Sequence, residues 1–575
     1  MADLIIRNAL LADGSGAEAR MADVVVDDGT ITDVAEAGSA GTADRVIDAD
    51  GRLVTPGFVD IHTHYDGQVT WDPEVTPSGW HGVTSIVMGN CGVGFAPAAP
   101  ERRDWLIQLM EGVEDIPGTA LAEGMSWNWE TFPEYLDELE RMDRVMDISA
   151  LVPHGAVRAY VMGERGAANE QATADDIAAM AAIVEEAVRA GAIGFSTTRT
   201  VLHRAKDGEL AAGTTASADE LIGIGDALAA AGAGVFEVAS DLIDAEGEFA
   251  WMADVSRRSG RPVTFGCLQN DLMPDQWRDL LARADAANAA GAHIVPQVAG
   301  RPACLLFGFT SSFHPFITHR AYRDLADLPL PERVARLRTP EVRGAILSED
   351  VQLSGLLAYL ASSFHKLFPL GDPPEYEPGP EASVAAIAAR EGRSAEEVTY
   401  DLMLQRGGTE LLYFPLLGYT HGDFGAMQEM LEHPGTVLGL GDGGAHCGLL
   451  CDASLPSYML THWVRDRDRG PRLGLEDVVR MQTRRTAELY GLLDRGLVAP
   501  GHRADLNVID LDALAIEPPE MVYDLPAGGR RLVQRSRGYA ATVVAGVPVR
   551  LDDEPTGERP GRLVRGHRPD PVRTA

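Results

Sequence analysis

The sequence predicts an α/β protein: a (β/α)8 TIM-like barrel with a small β-sandwich domain composed of both chain ends. Three observations carry this reading. The middle of the chain repeats a helical run, a glycine and an apolar strand; both ends alternate short β-rich runs with turn dipeptides; and "GFVDIHTHYD", residues 57 to 66, runs apolar into His-x-His.

The opening segment reads "DLIIRNALLADG", "ADVVVDDGTITDVA" and "RVIDADGRLVTPG". Asp-Gly supplies the positive φ that tight hairpin turns require, so these runs are strands joined by turns. "ADLNVIDLDA" and "ATVVAGVPVRL" repeat the style near the other end. Residues 1–56 and 498–575 are therefore expected to form one composite β-domain around a barrel spanning 57–497.

The barrel pattern is plainest from residue 174 to 298, in "ADDIAAMAAIVEEAVRAGAIGFSTT", "ADELIGIGDALAAAGAGVFEVAS", "EFAWMADVSRRSGRPVTFGCLQ" and "DQWRDLLARADAANAAGAHIVPQVA". Glycine just past a helix end is the expected C-cap, and helix alternating with buried strand means parallel βα units. Runs at "FVDIH", "SIVMGN", "DISALVPH" and "TVLGLGDGG" bring the strands to eight. Chemistry in such a barrel sits at the C-terminal ends of its strands. Two stretches, near 92–146 and 300–430, exceed ordinary loop lengths and are expected to form lids or inserted subdomains. The closing "ERPGRLVRGHRPDPVRT" is basic and proline-rich, and is expected to be loosely ordered.

Composition narrows the partners. Lys+Arg 49 against Asp+Glu 86 gives a net charge of -37, which opposes a nucleic-acid backbone and an anionic membrane surface. Only Lys206 and Lys366 are lysines, so nearly all positive charge is arginine. "MADLIIRNALLADGSG" has no signal-peptide core, and no apolar run reaches the roughly 18 residues of a membrane span. Cys91, Cys267, Cys304, Cys447 and Cys451 are too few and too scattered for a disulfide framework. The expectation is a soluble cytoplasmic protein acting on a small molecule, with room for a homo-oligomer.

Side chains two apart share a strand face, so His62 and His64 are both expected at the barrel mouth, where two imidazoles suit one metal ion. A lone histidine pair is weak evidence, because buried histidines often only satisfy hydrogen bonds. Position strengthens it. Cys91 ends the second strand in "VMGNCG", His154 the third in "LVPHG" and Asp442 the eighth in "LGLGDGG". A free cysteine is more often a small core hydrophobe, and an aspartate before glycine more often a turn. Metal-type residues at the ends of four strands of one barrel favour a joint metal site.

"GFVDIHTHYDGQVTWDP", "HGVTSIVMGNCG", "GDGGAH" and "RRTAELYGLLDRGLVAPGHRADLNVIDLD" resemble the amidohydrolase superfamily, specifically its D-aminoacylase (N-acyl-D-amino-acid deacylase) branch, over nearly the whole chain. The resemblance implies that His62, His64, Cys91 and Asp442 are metal ligands and that Asp442 is also catalytic. A divalent ion lowers the pKa of a bound water to about 7. A carboxylate can then take its proton and return it to the leaving amine.

The chain also departs from that pattern. The branch carries histidines at the ends of strands five and six that hold the tighter metal, whereas "GVFEVASD" and "PVTFGCLQ" have none; the lost positions fall near Ala239 and Cys267. Cys267 is a candidate replacement ligand and Glu237 a weaker one, with ordinary packing and polar roles at least as well supported. Neither lysine ends a barrel strand, so a bridging carboxylated lysine has no place. One zinc-like ion per chain is expected. His154, Arg199, His203 with its neighbour Arg204, and His446 are candidate substrate contacts, arginine through bidentate pairing with a carboxylate. Cys447 and Cys451 lack a second ligand pair and are assigned to packing.

The function these readings imply is metal-dependent hydrolysis of the C–N amide bond of an N-acyl amino acid or similar small amide. Two alternatives stand beside it: ring opening of a cyclic amide or imide, and a barrel that has lost catalysis and serves binding or assembly.

Overall fold

The computed structural model describes residues 2–571. Eight parallel strands are hydrogen-bonded in chain order: Phe58–Thr63, Val83–Met88, Asp147–Pro153, Gly194–Arg199, Val235–Ser240, Val263–Gly266, Ile294–Val298 and Val437–Leu438. They are strands one to eight below. The first three are buried along their whole length, which is why they read as continuous apolar runs and do not alternate. The ring closes between strands eight and one. Asp442 N donates to His62 O at 3.0 Å and His64 N to Gly443 O at 2.8 Å, just past both strand ends.

The helices of the repeating units begin and end where their side chains dictate. Thr173, Ser217 and Asp244 each accept a backbone N–H of the first helical turn, satisfying a donor that has no partner inside the helix. Gly232 and Gly260 end two of them at φ 69° and 65°, a left-handed turn that other residues adopt only with strain.

Strands from both chain ends join in one nine-stranded sheet. Its seam pairs Leu53–Pro56 with Ala2–Leu11 on one side and with Leu506–Ile509 on the other. Hydrogen bonding runs through all nine strands, and Ile6, Val24, Ile31, Val508 and Val543, from both chain ends, share one core. Asp28-Gly29 and Asp50-Gly51 take positive φ as the sequence predicts. Gly29 also lies against Ala545 from the far end, where a Cβ would stand 3.0 Å from its carbonyl oxygen.

The expectation of a loose tail is corrected. Ile148 N donates to Arg562 O at 3.0 Å and Val564 N to Ile148 O at 2.8 Å, which lays the tail along strand three. Leu563 and Val564 are buried there, so apolar side chains within a basic segment fix it. Its last four residues lie outside the described ones.

Both long stretches are ordered. Residues 92–146 contain the helices Arg103–Glu114, Gly118–Gly124 and Phe132–Glu140. Residues 300–430 contain a three-stranded sheet and an aromatic core of their own, including Phe307, Tyr400 and Phe414. This second insertion is tied to the barrel by Glu377, which accepts from His462 Nε2 at 2.9 Å and from Arg467 at 3.0 and 3.1 Å. Among the described residues no helix is long and apolar enough to cross a membrane.

Burial alone would raise the Glu377 pKa, yet the bonds from His462 and Arg467 pull it down to about 2. A depressed carboxylate contributes stability that is present above its unfolded pKa and lost as pH falls through the folded one. Stability is thus expected to fall from about pH 4.5 toward pH 2. Replacing Glu377 by alanine strands Arg467 in the interior and is expected to cost roughly 3–5 kcal/mol. Urea unfolding at pH 7 and pH 3 checks both: the variant should be weaker at pH 7 and show a shallower acid dependence.

Candidate metal centre

Strand one and the turn after it deliver the histidines, the turn after strand two Cys91, and the turn after strand eight Asp442. His62 Nε2 lies 3.3 Å from Cys91 Sγ and 3.4 Å from Asp442 Oδ1. His64 Nε2 is 3.7 Å from the same Oδ1. The donor atoms of His62, His64 and Cys91 all lie within 4.8 Å of one another. Neighbouring N, O and S donors on a tetrahedral zinc stand about 3.3–3.7 Å apart, given the usual bond lengths. The short separations match that spacing.

Each imidazole turns its other nitrogen toward a side-chain oxygen, His62 in a hydrogen bond and His64 in a charge contact only. His62 Nδ1 meets Gln297 Oε1 at 3.1 Å, and His64 Nδ1 lies 3.2 Å from Glu114 Oε1. Both rings therefore turn Nε2 toward the common point, the second-sphere arrangement of metal-binding histidines.

The charge balance supports a cation. Asp60, Asp66, Glu114 and Glu237 are buried around these donors. Burial raises Asp60 and Asp66 to about 7 and Glu237 to about 8, and the charged groups acting on them are His64 and other carboxylates. Asp60 Oδ2 and Glu114 Oε2 are buried without a hydrogen-bond partner. A bound divalent ion would favour the ionised form of these carboxylates, which burial alone opposes. The residues present fit such an ion.

The histidines are already polarised in opposite senses. Burial lowers His62 to about 4 despite the charge of Asp442. Burial opposes charge on His64 too, but the carboxylates of Glu114 and Asp442 outweigh it and raise His64 to about 9. Desolvation opposes the charge of half-buried Asp442, yet the His64 hydrogen bond and both imidazole charges hold it well below the usual carboxylate range. The Cys91 thiol is pushed up, first by burial and then by Glu237.

Backbone strain collects here. Cys91, Asp442 and His446 have φ of 57°, 44° and 49°. Left-handed backbone is uncommon for residues other than glycine, and such strained sites cost about 1–3 kcal/mol each. Glu237 offsets one of them by accepting the Cys91 backbone N–H at 2.8 Å.

The remaining expected residues divide. His446, with Nε2 3.6 Å from Glu114 Oε2, stands beside the centre. His203 is bonded to Thr198 Oγ1 at 2.9 Å; burial first, and then the charges of His446 and His64, drive its pKa down to about 3 against the opposing charge of Asp442. His154 is fully buried, with Nδ1 on Thr197 Oγ1 at 2.8 Å and Nε2 on Glu220 at 2.9 Å, so packing occupies both nitrogens. Arg199 pairs with both oxygens of Glu248, and exposed Arg204 turns to the Gly208 carbonyl. Cys267 sits in the apolar core, and burial alone raises its thiol to about 12. Neither it nor Glu237, a backbone clamp, joins the cluster in the manner of a replacement ligand.

Sequence reasoning missed Asp60, Asp66, Gln297 and Glu114. Asp60 shares the strand face of His62 and was readable from its spacing. Glu114 gave no signal, because only the folded insertion brings it here.

Imidazole, thiol and carboxylate donors converge at the C-terminal mouth of an eight-stranded barrel, which makes this a barrel with a candidate metal centre. The chain belongs to the amidohydrolase family, whose model matches residues 45–550. It is 29% identical over 570 residues to D-aminoacylase of Alcaligenes xylosoxydans xylosoxydans, covering 98% of this chain and 97% of that protein. N-acyl-D-glutamate deacylase of the same organism is 28% identical over 578 residues, covering 98% and 96%. A solved D-aminoacylase, studied for its binuclear metal center, superposes with a TM-score of 0.65 at 25% identity, over 99% of this chain and all of that one.

Zinc is expected to raise the melting temperature of the desalted protein, by an amount equivalent to about 2.7 kcal/mol at 100 times its Kd. Cys91→Ala should shift that titration to higher zinc. Calorimetry across a zinc series decides it, and a flat profile in the parent protein counts against the centre.

Proposed function

We propose that the protein hydrolyses the C–N amide bond of small N-acylated amino acids or amides of similar build, using one divalent ion per chain, zinc being the best match. The convergence of His62, His64, Cys91 and Asp442 at the barrel mouth carries this reading. The activities named for the two deacylase relatives support the substrate class. When bound, the ion would polarise the amide carbonyl and bring the pKa of a water to about 7. His62, His64 and Cys91 would hold it. Asp442 is ionised at neutral pH, accepts a proton at its carboxylate and can hand it to the departing amine. Asp442 and His446, at 19% and 25% exposed, are the most open groups of the site, and His446 faces the arriving substrate.

The rim suggests what the substrate carries. Val201, Leu202, Ile243 and Leu272, on the loops after strands four, five and six, and Leu356 and Leu357 on the Gly355–Ser362 helix, are exposed aliphatic side chains. Their mounts are linked: Val201 N donates to Asp241, Gln276 to Leu242 O, and Tyr359 of that helix to Asp271. The rim cations Arg199 and Lys366 are paired with Glu248 and Asp271. An apolar acyl group or side chain suits this arc better than an acidic one.

Asp442→Asn and His64→Ala are expected to lower kcat by about 10²–10⁴-fold or more with melting temperatures close to the parent's. Product analysis on N-acyl amino acids should find two products per turnover, carboxylate and amine. Near-normal rates in either variant would sink the mechanism, and a single ring-opened product would move the reading to cyclic amides. Lengthening the acyl chain should raise kcat/KM, by at most about fourfold per methylene buried. Ile243→Asp should flatten that series.

A further inference from the structure

The Arg103–Glu114 helix of the first insertion points its C-terminal end at the metal centre, and its last residue is the one that arrives. Glu114 is 1% exposed. Its two oxygens face two histidines as charge contacts outside hydrogen-bond geometry: Oε1 lies 3.2 Å from His64 Nδ1 and Oε2 lies 3.6 Å from His446 Nε2, and neither His64 Nδ1 nor Oε2 has a hydrogen-bond partner. The main chain at this point also holds the turn after strand eight. Glu114 O accepts from Cys447 N at 3.3 Å, and the next residue, Asp115 at φ 52°, accepts from Gly448 N at 3.0 Å through its side chain.

A carboxylate in the last turn of a helix stands against the negative end of the helix dipole, where cationic side chains are the favoured ones. Burial adds a second penalty. Helix formation and packing would both be better served by an apolar residue here. What the position gains is the pair of imidazoles.

We propose that Glu114 is a positioning residue of the metal centre: once an ion is bound and His64 is neutral, its carboxylate closes on Nδ1 and fixes the tautomer and ring orientation of His64, and its charge draws His446 toward the mouth. This rests on the metal-dependent reading above. A neutral imidazole carries its proton on one nitrogen only, so an acceptor at Nδ1 leaves the Nε2 lone pair free for an ion. An anionic acceptor also makes that lone pair more basic. His62 has a neutral partner, Gln297, at the corresponding nitrogen. The two histidine ligands are thus supported unequally, and the insertion forms part of the centre as well as a cover over it.

The test compares the parent protein with Glu114→Leu, which fills the volume without an acceptor, and Glu114→Gln, which keeps one. Zinc affinity is measured by competition with a chelator, and the His64 tautomer by nitrogen-detected NMR of the imidazoles; neither needs turnover. Zinc binding should weaken about 10–100-fold in Glu114→Leu, with loss of the Nδ1–H form of His64. Glu114→Gln should recover most of the affinity and the tautomer. A loss of equal size in both variants also supports the role and assigns it to the charge. Unchanged affinity and tautomer in both variants would overturn it. If Glu114→Leu gives no cooperative melt, the Gln variant and its tautomer decide. A parent protein that binds no zinc fails the metal reading itself, whereas zinc binding indifferent to Glu114 fails this inference alone.

Discussion

Closure of the barrel between strands eight and one is the constraint on which the rest of the site depends. The closing hydrogen bonds are made by the site residues themselves: Asp442 N to His62 O, and His64 N to Gly443 O. Side chains on a strand alternate, so a slip of one residue at this seam would send both histidines away from the mouth. The donors are assembled by the same bonds that close the ring. Strand eight is only two residues long, and the chain reaches it through the 300–430 insertion. The anchoring of that insertion by Glu377, His462 and Arg467 therefore lies upstream of the site geometry as well as of stability.

The centre concentrates features that fold stability alone would disfavour. Three of its residues hold left-handed backbone, and several carboxylates are buried where burial resists their charge. Each is held by a specific partner: Glu237 on the Cys91 amide, the Asp60 carboxylate on the His62 amide at 3.1 Å, Gln297 and Glu114 on the two imidazoles. A fold accumulates such local costs at one place when the surrounding structure over-determines the geometry.

Much of this was legible in the sequence, for identifiable reasons. The eight strands showed because parallel strands covered on both faces are continuous apolar runs ended by glycine. The hairpin at Asp28-Gly29 showed through its Asp-Gly, whereas Asp50-Gly51 joins two strands that both run parallel to Ala2–Leu11 and do not pair with each other. His62, His64, Cys91 and Asp442 showed because strand ends in a barrel share one mouth. Glu114 did not, since its approach is set by the path of a long insertion that no local pattern encodes. His154 misled, because the end of a strand does not say whether a ring turns to the mouth or, as here, to Thr197 and Glu220. Cys267 misled through its alignment with a lost histidine, while its surroundings are those of a core thiol. The tail misled because basic composition hid the two apolar residues that bind it to strand three.

The composite sheet has a consequence for how the chain is made. Leu53–Pro56 waits for Leu506–Ile509, so a strand finished early in synthesis keeps an open edge until more than four hundred further residues have left the ribosome. At roughly 5–20 residues per second that interval is tens of seconds. Pairing at such sequence separation is slow to nucleate, and an unpaired strand is a template for other chains. The sheet is thus among the last parts of the molecule that can be completed, and the nascent chain spends that interval as a potential substrate for chaperones.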